Sequence, residues 1–458
     1  MDIPVLLLAD DLTGAAEAAA AFVARTPRIV DLRMVRGTRD VFDSGCVVAV
    51  DTDSRYATPL TAADGIAAAL ALLPPGGVVV KKLDSTLRGP LAAELGALRA
   101  PGCLLVVAPA LPSLGRTVVG GAVRVDGVPL ERSDAWAAEP RPAPASVAEA
   151  LAPLPVSVVN LTVVRGSAVG LADVLRAAAD GDRLAICDAE TEDDLDRIVA
   201  AGELLRRNDR TLRWAGSAGL AQALARAYAA AGGAIPADAP ETVGGSAATE
   251  ARRVGGATPT DTTPSDAPGV MEVRLAEIRP SRGPAPPPLG PILFIVGTAA
   301  PPARDQLVWL RRQIGTVIEL DPAGLADAEA DKARELAERT AGRTAAVHLA
   351  DARGAARSPG VVAALARLVA PAARAHPALV LTGGETARAV LAALGVGELH
   401  VRESWADGVV VSTAPGGRVV VTKPGAFGRP RTLVHIAQRL PSTRWHLHAE
   451  HSPHQEDT

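Results

Sequence analysis

Short apolar runs that close on polar loops recur along the chain. Val5-Leu6-Leu7-Leu8-Ala9 leads into Asp10-Asp11, after which an Ala-rich helical pattern opens at Thr13-Gly14-Ala15. The run Val47-Val48-Ala49-Val50 closes on Asp51-Thr52-Asp53-Ser54-Arg55, Val78-Val79-Val80 on Lys81 to Pro90, and Leu104-Leu105-Val106-Val107 on Ala108 to Thr117. Uninterrupted apolar runs suit parallel strands covered on both faces. Helical patterns from Thr61 to Leu73 and from Leu91 to Leu98 separate the runs. Strand and helix therefore alternate, which predicts an α/β fold, and in open sheets of that class ligands bind outside the carboxyl ends of the strands. Four polar loops at one sheet edge describe a site.

Gly120 to Arg132, with Gly120-Gly121 and Asp126-Gly127 as turn signals, reads as a hairpin excursion. Alternation resumes with strands at Ser157 to Leu161, Leu184 to Cys187 and around Arg213 to Gly216, the last entering a helix from Ala221 to Ala230. From Gly232 to about Pro288 the composition shifts to Gly, Ala, Pro, Thr, Ser and Asp, which marks a flexible linker with one short ordered piece, Val270 to Ile278. A second α/β unit follows: Pro291 to Val296, a helix from Pro302 to Gln313, strands Val317 to Leu320 and Ala345 to Leu349, then Ala378 to Leu381 and a helix from Ala387 to Leu394. The last strand expected is Arg418 to Val421. The organisation is thus two domains, 1–231 and 290–440, a linker at 232–289 and a tail at 441–458 that bears His446, His448, His451 and His454. Each domain is expected to be an open, mostly parallel sheet flanked by helices, with the active site in the cleft between them.

Composition narrows the partners. A formal charge of -4 gives no basic field for nucleic acid. No apolar span is long enough for a membrane helix, and the N-terminus lacks a signal-peptide pattern. Cys46, Cys103 and Cys187 are odd in number, far apart and set in apolar runs, so neither a disulfide framework nor a zinc spacing emerges. A cytoplasmic protein that handles small molecules fits these features.

Lys81-Lys82-Leu83-Asp84-Ser85-Thr86-Leu87-Arg88-Gly89 puts cations, a carboxylate and hydroxyls at a strand end, the means to hold an anionic, hydroxylated molecule. A solvated turn with ion pairs is the plainer alternative. Side chains alternate along a strand, so Lys81 and Lys82 should face opposite sides, as should Asp10 and Asp11. Of the lysines, Lys82 is the one expected at the site. In the second unit, Thr382-Gly383-Gly384-Glu385-Thr386 offers backbone N–H groups and a helix N-terminus to phosphate, and Lys423-Pro424-Gly425-Ala426-Phe427-Gly428 is another Gly-bearing loop. Neither a Walker sequence nor a G-x-G-x-x-G fingerprint is present, which argues against a dinucleotide-dependent dehydrogenase.

With those loops quoted, the chain resembles the four-carbon acid sugar kinase family. The resemblance rests on Ala9-Asp10-Asp11-Leu12-Thr13-Gly14-Ala15, Asp51 to Arg55, Lys81 to Gly89, Ala108 to Pro112 with Gly115-Arg116-Thr117, and Gly216-Ser217-Ala218-Gly219-Leu220. It implies an N-terminal domain for the sugar acid, a C-terminal domain for ATP, and phosphorylation of the terminal (C4) hydroxyl of an acid such as 3-oxo-tetronate, threonate or erythronate. Asp11 or Asp84 is then the candidate base and Lys82 compensates charge. Arg55 and Arg88 are the candidates for the substrate carboxylate, with Asp10, Asp53, Ser54, Ser85 and Arg116 lining the acid site. Gly297, Thr298, Gly383, Gly384, Glu385, Thr386 and Gly425 are the nucleotide-loop candidates. Mg²⁺ is expected with ATP, without a ligand signature to place it. A homo-oligomer is an open alternative to a monomer, and two domains on a linker would close around both substrates.

The C-terminal loops depart from the family pattern. Gly297-Thr298-Ala299-Ala300 stands where Gly-Ser-x-Ser is usual, and Lys423-Pro424-Gly425-Ala426-Phe427-Gly428 where Lys-Ser-Gly-Asn-Phe-Gly is usual. Hydroxyl and amide contacts are lost and Pro424 removes one N–H donor. The alternative to a full kinase is accordingly a sugar-acid-binding protein or a weakly active paralogue.

Overall fold

The computed structural model describes residues 3–34, 42, 47–136, 139, 141–207, 211–230, 289–298, 300–325, 330–350, 359–425 and 427–440. The expected linker, apart from Leu289, and the His-bearing tail lie outside the described residues, as do Cys46, Ala299 and Ala426.

In the first half the strands are β1 (Val5–Ala9), β2 (Arg28–Asp31), β3 (Val47–Asp51), β4 (Val78–Lys82) and β5 (Leu104–Ala108). An antiparallel excursion follows as β6 (Arg116–Val119), β7 (Ala122–Val125) and β8 (Val128–Pro129), one strand more than the expected hairpin. The half ends with β9 (Val156–Val159), β10 (Leu184–Cys187) and β11 (Leu212–Gly216). The second half supplies β12 (Ile292–Val296), β13 (Thr316–Leu320), β14 (Ala345–Leu349) and β15 (Ala378–Thr382). It closes with β16 (Glu398–Trp405), β17 (Val409–Thr413) and β18 (Val419–Lys423).

The α/β class and the mostly parallel strands are as expected, but the two sheets are one. A 15-stranded sheet runs β13-β14-β12-β15-β18-β17-β16-β2-β3-β1-β4-β11-β5-β10-β9. The seam between the halves is an antiparallel pairing of β16 with β2, in the register Glu398↔Val30, Leu399↔Ile29 and His400↔Arg28. Arg28 Nε donates to Glu398 Oε1 across it at 2.5 Å. Within this sheet, among the described residues, β16 pairs antiparallel with β17 and β2, and β17 with β18; the pairings outward on both sides are parallel.

Burial explains the apolar runs. Every residue of β1, β3, β4 and β5 is buried, and each large aliphatic side chain so placed contributes roughly 1.5–3 kcal/mol. The helix Leu12–Ala20 is buried at all positions but Glu17, because it lies between the sheet and the helix Gly384–Leu394 of the other half. One hydrophobic core holds Val5–Ala9 together with Leu293, Ile295, Val390 and Val420, so it crosses the seam. On the opposite face of β12, Ile292, Phe294 and Val296 pack with Leu310, Leu433 and Ile436. Among the described residues no helix is long and apolar enough to cross a membrane.

Candidate active site

Register brings the polar loops together. Ala9 pairs with both Asp51 and Lys82, and Gly216 with both Lys82 and Ala108. The carboxyl ends of β3, β1, β4, β11 and β5 therefore form a single edge, and β1 is the switch point from which the order runs both ways.

Asp11 is the N-cap of the helix Leu12–Ala20: it accepts from Gly14 N at 2.7 Å and from the Thr13 hydroxyl at 2.9 Å. Arg55 spans Asp10 and Asp11, donating Nε and Nη2 to Asp10 at 2.7 and 2.9 Å and Nη1 to Asp11 at 2.6 Å. Strand alternation would separate these two carboxylates, yet one guanidinium bridges both, since Asp11 already caps the helix. Asp84 holds Arg88 through two bonds, to Nε at 3.0 Å and Nη2 at 2.5 Å, and lies 3.8 Å from Arg55 Nη2. Burial alone would raise the Asp84 carboxyl; Arg88 and Arg55 hold it well below its ordinary value.

The loop that carries Arg88 is strained. Leu87 is left-handed at φ 64°, rare for a bulky residue, and Gly89 follows at φ 99°. A Cβ on Gly89 would stand 3.2 Å from Asp10 Oδ2, so this glycine meets both a conformational and a packing need. Trp136 Nε1 secures the loop by donating to Thr86 O at 2.7 Å. Ser85 is buried within it.

The lysines divide as their strand positions require. Lys81 is fully buried and pairs with Glu94 at 3.0 Å on one side of the sheet, while Lys82 reaches Glu17 at 3.4 Å on the other. Burial, countered by Lys82, raises the Glu17 carboxyl. Ser54 does not face open space: its hydroxyl donates to Glu94 at 2.6 Å. Arg116 donates to Leu114 O and lies 5.2 Å over the Phe427 ring, which belongs to the second half.

In the second half the helix after β15 begins at Gly384, three residues earlier than the apolar pattern predicts. Gly383, at φ 95°, caps it, so Glu385 and Thr386 sit in its first turn. The other two loops converge there: a Cβ on Gly297 would meet Thr386, and one on Gly425 would stand 2.6 Å from Thr298 Oγ1. Lys423, pushed down to about 8 by burial, donates to Pro424 O and Phe427 O at 2.7 Å and so holds its own loop. The two sides meet at Asp11, whose Oδ2 lies 2.5 Å from the position a Cβ on Gly384 would take.

Residues outside the sequence-derived set also belong here. Glu94 and Glu17 neutralise the lysines, and Glu139 lies 3.9 Å from Arg88. Arg388, one helical turn beyond Gly384, is 7% exposed and pairs with Asp31 and Asp51 at 2.9 Å and with Asp53 at 3.2 Å. A lone Arg among the apolar residues of its helix was the available signal.

The cluster of paired charges at the sheet edge thus faces a glycine-bounded helix N-terminus of the other half, and each half matches a family model of its own. Residues 5–224 match a sugar-binding N-terminal domain and 293–433 a nucleotide-binding C-terminal domain. Similarity extends to a D-threonate kinase of Cupriavidus necator, 34% identical over 96% of this chain and 98% of the relative. A D-threonate kinase of Bordetella bronchiseptica is 31% identical over the same shares. A D-erythronate kinase of Heliobacterium modesticaldum is 35% identical over 43% of this chain and 47% of the relative. In fold, the chain is like a Salmonella typhimurium LT2 protein described as a tRNA synthase, with a TM-score of 0.69 at 22% identity over 95% of this chain and 99% of the other. The chain belongs to the four-carbon acid sugar kinase family, and is a phosphotransferase with an alcohol group as acceptor.

Proposed function

We propose that this enzyme transfers the γ-phosphoryl group of ATP to the terminal (C4) hydroxyl of a four-carbon sugar acid, with D-threonate the first candidate because both full-length relatives carry that name. The observation that carries the reading is the contact of Asp11 with Gly384, which puts a carboxylate of the acid site at the N-terminus of the nucleotide helix. There Asp11 takes the proton of the attacking hydroxyl as its oxygen bonds to the γ-phosphorus and the bond to the ADP oxygen breaks. Asp84 is a poor base, since Arg88 and Arg55 keep its proton affinity low. Its part is to hold Arg88, which meets the substrate carboxylate with Arg116. Lys82 is balanced by Glu17, Asp10, Asp53, Arg55 and Ser85 shape the pocket, and Ser54 supports it from behind through Glu94. Residues 1–231 form the acid-binding domain and 290–440 the nucleotide-binding domain.

Backbone N–H groups of Gly297, Gly384 and Gly425, with Thr298, Glu385 and Thr386 nearby, form the phosphate cradle; the Gly383 N–H is spent on Lys423 O at 2.9 Å. Arg55, Arg88 and Lys82 are already matched by carboxylates, so these three do not offset the charge of a triphosphate. Mg²⁺ offsets it when bound. Among the described residues no group of three or more His, Cys, Asp or Glu could hold a metal alone; Mg²⁺ carried by nucleotide phosphates would need only one or two carboxylates.

An ADP-release assay with D-threonate, D-erythronate and 3-oxo-tetronate stereoisomers tests the reading. Turnover with at least one acid is expected. ATP-independent binding of the acid without ADP release would overturn it in favour of a binding protein.

A further inference from the structure

Resting on that reading, we infer that Arg388 is a positioning residue: from the nucleotide-binding helix it fixes the acid-binding loop Asp51–Arg55, so that the two substrate sites share one coupled element. Arg388 lies in Gly384–Leu394, the helix whose first turn carries Glu385 and Thr386. Its guanidinium does not turn toward the phosphate cradle. It enters the other half, where Nη2 donates to Asp31 Oδ1 at 2.9 Å and Nη1 stands 2.9 Å from Asp51 Oδ2 and 3.2 Å from Asp53 Oδ1.

Asp31 and Asp51 end β2 and β3, and Asp53 lies in the loop that presents Ser54 and Arg55. Asp51 Oδ1 accepts from Asp53 N at 3.0 Å, and Asp53 is left-handed at φ 52°, so the bend that turns Arg55 back to Asp10 and Asp11 is held on one side by the carboxylates Arg388 grips. Arg33, more than half exposed, braces Asp31 and Asp53 from outside. Arg388 is the buried member and the one contributed by the nucleotide side.

A displacement of the nucleotide helix by a bound triphosphate therefore pulls directly on the loop that orients Arg55. A purely structural ion pair would affect folding without favouring one substrate. The positioning role predicts a signature on the acid side from a change made in the nucleotide helix. Arg388→Met should raise the KM for the sugar acid about 5- to 150-fold, the usual range of coupling between sites, with the KM for nucleotide changed far less. Arg388→Lys should recover part of the loss, because a point charge reaches one carboxylate but does not fork two.

The experiment pairs steady-state kinetics with hydrogen exchange on ligand-free wild type, Arg388→Met and Arg388→Lys. Faster exchange at amides 53–55 in Arg388→Met, partial protection in Arg388→Lys and a selective rise in acid KM are expected. Unchanged exchange at 53–55, or a KM change confined to nucleotide, overturns the inference. Should Arg388→Met fail to fold, the same two readings are taken on Arg388→Lys and decide alone. If wild type phosphorylates no sugar acid, the functional reading fails and the exchange measurement still decides the role of Arg388.

Discussion

The carboxylate of Asp11 occupies the space a side chain on Gly384 would need, 2.5 Å from the built Cβ position, with Thr13 Oγ1 at 3.1 Å from the same point. The charged cluster after β1 and the helix Gly384–Leu394 therefore touch with no residue between them. Gly384→Ala should push the carboxylate or the helix aside and lower kcat by about a hundredfold or more, the scale on which a misplaced general base acts, with an overpacking cost of about 1–3 kcal/mol in stability. Wild-type turnover in Gly384→Ala would remove Asp11 from the role of base.

Asp11 and Asp84 should separate kinetically. Asp11→Asn is expected to cut kcat by roughly 10²–10⁴ with little change in acid KM, since it removes proton transfer. Asp84→Asn frees Arg88 from its two-bonded grip and should act first on acid KM. A kcat-only effect of Asp84→Asn, measured against saturating acid, would reverse the assignment.

Lys81 and Glu94 are both fully buried, so either one left alone is costly. Lys81→Met should destabilise the fold by about 3–5 kcal/mol in denaturant unfolding, and Lys81→Met combined with Glu94→Leu should recover much of it. A double variant no more stable than the single one would show that Ser54, which loses its acceptor, dominates instead.

Burial raises the Asp51 carboxyl to about 7 against the pull of Arg388, with Asp11 and Asp53 adding to the rise. The folded state thus binds this proton more tightly than the unfolded chain does. Its contribution to stability is fully present below about 3.8 and is lost as pH rises through about 7. The melting temperature of Asp51→Asn relative to wild type should therefore climb between pH 5 and 8 and then level off. A flat difference across that interval would contradict the shift.

Arg116 over Phe427 links the start of β6 to the loop after β18. In a double-mutant cycle on kcat/KM, Arg116→Ala and Phe427→Ala should couple by about 0.5–2 kcal/mol. Strict additivity would leave the stacking without a part in catalysis.

Much of this arrangement was legible in the sequence because burial on both faces leaves unbroken apolar runs, as in Val5–Ala9, Val47–Val50 and Ala378–Leu381. What joins the halves was not. β2 is four residues long with charged ends, and β16 mixes Glu398, His400, Arg402 and Glu403 with apolar positions because only part of it is buried. Its partner strand lies far away in sequence, beyond any local pattern. The same distance hides Arg388, whose acidic partners stand at Asp31, Asp51 and Asp53. Site residues in loops were readable by chemical type, but which of them spend their charge on one another depends on register. Arg55, a candidate with Arg88 for the substrate carboxylate, is already bound to Asp10 and Asp11.

The β2–β16 seam also limits how substrates can enter. Two lobes on a tether could swing apart like jaws, but here such a swing would have to tear a ladder of backbone hydrogen bonds and split a shared core. The sheet can instead flex as one beam, with torsion spread over many strands. Entry then falls to the rim loops, and the radius of gyration should hardly change when acid and nucleotide are added together.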